Sequence, residues 1–84
     1  MQTNSKFKSA VVWSQNNCAW CVRALKLLEQ RGIHQVVEKK IGVNTTKEEF
    51  MEKNPGARTV PQVWIDGKHI GGFEDLQKYL NDNA

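Results

Sequence analysis

The chain has 84 residues, enough for one domain with a modest core, since folding at this size buries only about 60–65% of the surface exposed by the unfolded chain. Its 12 Lys and Arg against 9 Asp and Glu give a formal charge of +3. No basic cluster is interleaved with aromatics, which argues against a nucleic-acid surface and leaves a weak preference for anionic partners.

The opening stretch, MQTNSKFKSAVVW, lacks the apolar run of a signal peptide, and nothing reaches membrane-spanning length. Two cysteines are too few for a secreted disulfide scaffold, so a reducing, cytoplasmic setting is expected. Ala10-Val11-Val12-Trp13 is the continuous apolar run of a strand covered on both faces. Ser14 to Asn17 is polar and predicts a loop, with Asn17 capping the next helix. Cys21, Leu25 and Leu28 then fall at i, i+4 and i+7, with Ala24 and Leu27 beside them, an amphipathic helix that Gly32 ends.

Gln35 to Ile41 reads as a charged strand at a sheet edge. Thr46-Lys47-Glu48-Glu49 has the spacing of a capping box and opens a short helix ending at Asn54-Pro55-Gly56. Asp66-Gly67 lies between Pro61-Gln62-Val63-Trp64-Ile65 and Lys68-His69-Ile70, a strong hairpin signal. Gly71-Gly72 breaks the second of these strands, and Phe73, Leu76 and Leu80 start a final helix. The order β-α-β-α-β-β-α, with one right-handed crossover and one hairpin, predicts an α/β fold: a four-stranded mixed sheet with helices on both faces.

Both cysteines lie in Cys18-Ala19-Trp20-Cys21, where the first strand gives way to the first helix. A CxxC beside a β-α-β pattern in a reducing compartment reads as a thioredoxin-like redox motif. Cys21 continues the apolar stripe and is the more buried thiol; Cys18 is the exposed one, hence the nucleophile. The thiolate reacts, and an ordinary cysteine, with pKa near 8.5, is only a few per cent ionised at pH 7. A helix N-terminus contributes up to ~2 kcal/mol, about one and a half pKa units, which leaves Cys18 roughly half ionised. Further stabilisation requires hydrogen bonds to its sulfur from the amides of Trp20 and Cys21 or from the Cys21 thiol. The alternatives are a structural thiol pair or half of a metal site. Zinc takes about four ligands at recognisable spacing, and His34 and His69 are far apart and read as solvated loop or edge residues.

With Thr59-Val60-Pro61 and Gly71-Gly72-Phe73-Glu74-Asp75-Leu76 following in this order, the chain resembles a glutaredoxin along nearly its full length. The resemblance implies one glutaredoxin domain over residues 1–84, the thioredoxin-like fold, and a dithiol enzyme with Cys18 and Cys21 catalytic. It implies glutathione as co-substrate, bound by Gln15, Trp20, Arg58, Thr59, Val60, Pro61, Gly72, Phe73, Glu74 and Asp75. It also implies a cis Pro61, which on spacing alone would merely open a strand. The Val60 backbone would then face Cys18 and pair with the cysteinyl part of glutathione like an added strand. The amides of Glu74 and Asp75 would take the α-carboxylate of the γ-glutamyl end, and the Asp75 carboxylate the adjacent ammonium. Read alone, both acids are what any first helical turn favours.

Three positions depart from the common family pattern, Cys-Pro-Tyr-Cys preceded by a lysine. Trp20 keeps an aromatic wall beside the sulfur without a phenol hydroxyl. Ala19 lacks the ring that disfavours iron–sulfur binding in the family, which admits a [2Fe-2S] cluster in a glutathione-bridged dimer. Gln15 replaces the lysine three residues before the first Cys, and Arg58 stands as the substitute cation.

The implied activity is reduction of protein–glutathione mixed disulfides and protein disulfides, at a potential of about −200 to −230 mV. The client is not readable from the sequence; ribonucleotide reductase is a common client in the family and is named by that association alone. A monomer is expected, with no nucleic-acid or membrane partner and no tightly bound cofactor required. The rival readings are a hydrogen donor reduced by thioredoxin reductase and an iron–sulfur carrier. Gly-Gly-Phe-Glu-Asp counts against the first, whose members carry a Trp-containing motif there.

Overall fold

The computed structural model describes residues 6–83; the first five residues of the opening stretch, and Ala84 at the end of the expected domain, lie outside them. In chain order the elements are β1 (Ser9–Gln15), α1 (Ala19–Gln30), β2 (Gln35–Ile41), α2 (Lys47–Lys53), β3 (Gln62–Ile65), β4 (Lys68–Gly71) and α3 (Phe73–Asp82). The four strands lie in the order β2-β1-β3-β4, with β1 parallel to β2 and the other pairs antiparallel. The expected mixed sheet is therefore present, with charged β2 at an edge, where water can reach one side of it.

Strand alternation divides the side chains between two faces. Ala10, Val12, Val63 and Ile65 point to the side where α1 contributes Ala24 and Leu28 and α3 contributes Leu76 and Leu80, and together they form the buried core. Each fully buried Val, Leu or Ile side chain here contributes about 1.5–3 kcal/mol. Trp13 and Trp64 take the opposite face, where Phe50 of α2 meets Trp13 edge-on at 6.0 Å. Asn54, wholly buried, ties this layer together. Its Nδ2 donates to the Phe50 carbonyl at 2.9 Å and its Oδ1 accepts from the Trp64 indole at 2.8 Å.

Local chemistry explains the joints. Asp66 and Gly67 have φ of 50° and 83°, the doubly left-handed pair that a two-residue type I′ hairpin demands. The Asp66 carboxylate then accepts the Lys8 and Ser9 amides, the latter at 3.0 Å, and fastens the hairpin to the start of β1. At α2, the Thr46 hydroxyl accepts the Glu49 amide at 3.1 Å, as a capping box requires. The Glu49 carboxylate takes the Thr45 hydroxyl.

Three expectations are corrected. Ser14 and Gln15 belong to β1, because pairing continues to Gln15↔Ile41. Ser14 is buried without penalty since its hydroxyl donates to Glu38 on β2 at 2.6 Å. Asn17 does not cap α1: it makes a left-handed turn at φ 57°, a conformation Asn tolerates better than most residues. The cap is Cys18, in extended conformation, one residue before the helix. Gly71 closes β4 opposite Val63 instead of breaking it, and Gly72 caps α3.

Candidate active site

Cys18 and Cys21 are joined as a disulfide, with Cα atoms 5.3 Å apart, inside the range such a bond spans. Cys18 is partly exposed and Cys21 is buried, the asymmetry expected from the apolar stripe. The Cys21 amide donates to Cys18 Sγ at 3.2 Å. Among the described residues the Trp20 amide makes no such bond. No acidic side chain stands in the first turn of α1, so nothing there offsets the positive end of the helix.

Opposite the sulfur lies the loop before β3. The Val60–Pro61 bond is cis, and the Val60 carbonyl oxygen is 3.9 Å from Cys18 Sγ. A bridged sulfur carries no hydrogen, so this is a contact; in the dithiol state the same oxygen is available to a thiol proton. Gln62 braces the loop from behind, donating to the Thr59 carbonyl at 3.0 Å and meeting His69 Nε2 at 2.8 Å.

The start of α3 closes the third side. A Cβ built on Gly72 would lie 3.7 Å from the Pro61 carbonyl oxygen. Gly72 brings no capping side chain, and the first backbone bond is Leu76 N–H to the Gly72 carbonyl at 2.9 Å. Among the described residues, the amides of Phe73, Glu74 and Asp75 therefore have no acceptor at this helix N-terminus. The Phe73 ring packs against Trp20 at 5.3 Å, and the Arg23 guanidinium lies over the same indole at 4.6 Å. Trp20 remains 51% exposed, a wall with one side open to solvent.

Two hollows share Gln15; one reaches the disulfide only through Val60, whose carbonyl oxygen lies 3.9 Å from Cys18 Sγ, and the other borders it. One, of about 570 Å³, brings together Gln15, Arg58, Thr59 and Val60 with Lys47 and Met51. The other, of about 400 Å³, is bordered by Gln15, Cys18, Cys21, Glu38 and Lys40. Glu74 is exposed in the first turn of α3.

The Asp75 side chain lies so close to Gly71 that a Cβ there would meet Asp75 Cγ at 3.0 Å, and it borders a hollow with Lys68, His69 and Lys78. The cause is local: Gly71, at φ 126° and without a side chain, leaves the space that the carboxylate fills.

Sequence reasoning missed Lys40, Glu38 and Lys47 as neighbours of the site. The signal for Lys40 was the parallel register, Ser14↔Lys40, and that for Arg23 its i+3 spacing from Trp20. Among the described residues, no group of three or more His, Cys, Asp or Glu is arranged to hold a metal ion. Also among them, no helix is long and apolar enough to cross a membrane.

A thioredoxin-like fold with a CxxC disulfide at a helix N-terminus, faced by a cis-proline loop, defines the class of thiol–disulfide oxidoreductases. Within that class the chain belongs to the glutaredoxin family, whose family model, described as "Glutaredoxin", matches residues 10–70; its CxxC makes it a dithiol member. It is 42% identical over 65 residues to "Glutaredoxin 3" of Escherichia coli K12, covering 77% of this chain and 77% of that protein. Its fold is similar to that of reduced Escherichia coli glutaredoxin, with TM-score 0.67, 32% identity and coverage of 89% and 95% of the two chains. It is also similar to the buckwheat glutaredoxin–glutathione complex, with TM-score 0.65, 32% identity and coverage of 87% and 68%.

Proposed function

We propose that this thiol–disulfide oxidoreductase works with glutathione, reducing protein–glutathione mixed disulfides and protein disulfides. The observation that carries this reading is the three-sided setting of Cys18: its own helix start, the Val60 carbonyl at 3.9 Å, and the uncapped amides that begin α3 beside Pro61. A tripeptide thiol with a carboxylate at each end fits it. The Val60 backbone offers the cysteinyl unit an extended partner. The α3 amides offer an anion site to one carboxylate, and the groove with Arg58 and Lys47 offers cations to the other. The related buckwheat protein was crystallised with glutathione, which supports the same choice of thiol.

In the monothiol route, the Cys18 thiolate attacks the glutathionyl sulfur. The bond to the client sulfur breaks, and the client thiolate leaves and takes a proton from water. A second glutathione, as thiolate, then attacks the glutathionyl sulfur on Cys18, releasing glutathione disulfide and the Cys18 thiolate. For an intraprotein disulfide, Cys18 attacks one sulfur and expels the other. Cys21 then attacks the Cys18 sulfur, freeing the client dithiol and forming the Cys18–Cys21 bridge, and two glutathiones reduce that bridge. A cytoplasmic glutathione pool suits this cycle, because it keeps the pair reduced between turnovers.

The test is turnover of a glutathionylated peptide, coupled in one arm to glutathione and glutathione reductase and in the other to thioredoxin reductase. Turnover in the first arm is expected; turnover in the second alone would overturn the reading.

A further inference from the structure

On the sheet face opposite α1 and α3, the seven residues of α2 leave part of the strands open. By register, Val37, Val11, Trp64 and His69 form one row across all four strands. Val37 is 53% exposed and Val11 and Trp64 are half-buried. Beside this row is a slot of about 240 Å³ with Val11, Trp13 and Trp64 at its base and Lys39, Lys53 and Gly67 around it. None of these residues borders either of the two hollows that share Gln15.

The slot is rigid and electrically lopsided. Trp64 is held by Asn54 at 2.8 Å and stacked on His69 at 5.0 Å and 12°, so little side-chain freedom remains to be lost on binding. Lys39 and Lys53 have no ion pair among the described residues, where the one such pair joins Lys40 and Glu38. Asp66 also borders the slot, but its carboxylate is already bound to the Lys8 and Ser9 amides.

We propose that this slot docks an acidic peptide segment of a protein partner. One apolar side chain would lie on the Trp13–Trp64 base, and flanking carboxylates would meet Lys39 and Lys53. The volume admits a single large side chain, while the apolar row runs on to exposed Val37, farther than a small ligand would reach. A second copy of this chain is the wrong occupant. Its charge is also +3, and slot against slot would set the lysines of each copy against those of the other. The proposal extends the reading above without depending on it, since the thiol pair takes no part in the docking.

The test is an NMR titration of the ¹⁵N-labelled 84-residue chain with a capped pentapeptide, phenylalanine between two acidic residues on each side. The same peptide with basic flanks and free N-acetylphenylalanine serve as the other arms. The acidic peptide is expected to shift the amides of Val11, Val37, Lys39 and Gly67 and the Trp64 indole. Lys39→Glu with Lys53→Glu should weaken binding about tenfold or more, with the fold intact by circular dichroism and turnover of a small mixed disulfide unchanged. Equal shifts with the basic peptide or with N-acetylphenylalanine, shifts confined to Cys18, Thr59 and Val60, or unaltered binding by the double variant would each overturn the proposal.

Discussion

The Cys21 amide donates to Cys18 Sγ at 3.2 Å, so the sulfur proposed to attack substrate is also the cap of the helix that carries its partner. An N-cap side chain normally accepts through oxygen; here the acceptor is sulfur, and the cap strengthens as the sulfur gains negative charge. One backbone bond thus links helix stability to thiolate formation.

The two cysteines should separate by variant. Cys18→Ser removes the exposed nucleophile and should abolish reduction of both substrate types. Cys21→Ser leaves the Cys21 backbone donor in place and should retain deglutathionylation while losing reduction of intraprotein disulfides. Glutathione-reductase-coupled turnover on one substrate of each type checks this, and equal loss in both variants would sink the division of roles.

Trp20 is held by Phe73 at 5.3 Å and by the Arg23 guanidinium at 4.6 Å. An aromatic pair is worth about 0.5–1.5 kcal/mol, and an exposed cation–π contact about 0.5–1 kcal/mol. Trp20→Ala should therefore cost about 1–2 kcal/mol in urea unfolding, and Trp20→Tyr less than half of that. If Trp20 also forms a wall for glutathione, Trp20→Ala should raise the glutathione KM, whereas Arg23→Ala should change stability more than KM.

What the sequence disclosed and what it withheld follow from the range of the interactions. The element order, the Asp66-Gly67 hairpin and the buried Cys21 are local patterns of period or turn chemistry, readable in a few adjacent residues. Ser14 was misread as loop because its burial depends on Glu38, 24 positions away. Asn17 lost the cap to Cys18 because the choice between them rests on one φ angle. The direction taken by Asp75 depends on the empty space at Gly71, which no propensity encodes. The cations Lys40 and Lys47 join the site only through strand register and the seating of α2.

Asn54 predicts a stability loss carried by hydrogen bonding rather than by apolar packing. It is wholly buried, and its side chain serves both the Phe50 carbonyl and the Trp64 indole. Asn54→Ala leaves the Trp64 indole without its acceptor, while the Phe50 carbonyl keeps the residue-54 backbone amide at 2.9 Å, and should cost about 1–3 kcal/mol. In a Trp64→Phe background the indole donor is absent, and the same substitution should cost at least ~1 kcal/mol less. Chemical denaturation of the four proteins in the cycle measures this coupling; strict additivity would mean that the Asn54–Trp64 bond contributes nothing.

Adjacent glycines should respond in opposite ways. Gly71 sits at φ 126°, where a Cβ would press on the Asp75 side chain, so Gly71→Ala should cost about 1–3 kcal/mol. Gly72 has φ −81°, and a Cβ there would make ordinary contact with the Pro61 carbonyl oxygen at 3.7 Å. Gly72→Ala should leave stability within about 1 kcal/mol, yet raise the glutathione KM by crowding the space between Pro61 and α3. A Gly72→Ala protein with unchanged kinetics would remove Gly72 from the binding surface.

Gln15 borders both hollows, and one of them already holds Lys47 and Arg58. If Arg58 supplies the positive charge that Gln15 lacks, the two positions should compensate. Each contact would be a solvent-screened pair with a glutathione carboxylate, worth about 0.2–1 kcal/mol, or about 1.4- to 5-fold in KM. Gln15→Lys should lower the glutathione KM within that range and Arg58→Ala should raise it. The double variant should return close to the parent value. Raising salt from about 0.15 M to 0.5 M should compress all of these differences, because screening shortens the reach of exposed charge. A silent Arg58→Ala beside an effective Gln15→Lys would show that Arg58 does not replace the missing cation and would shift attention to Lys47.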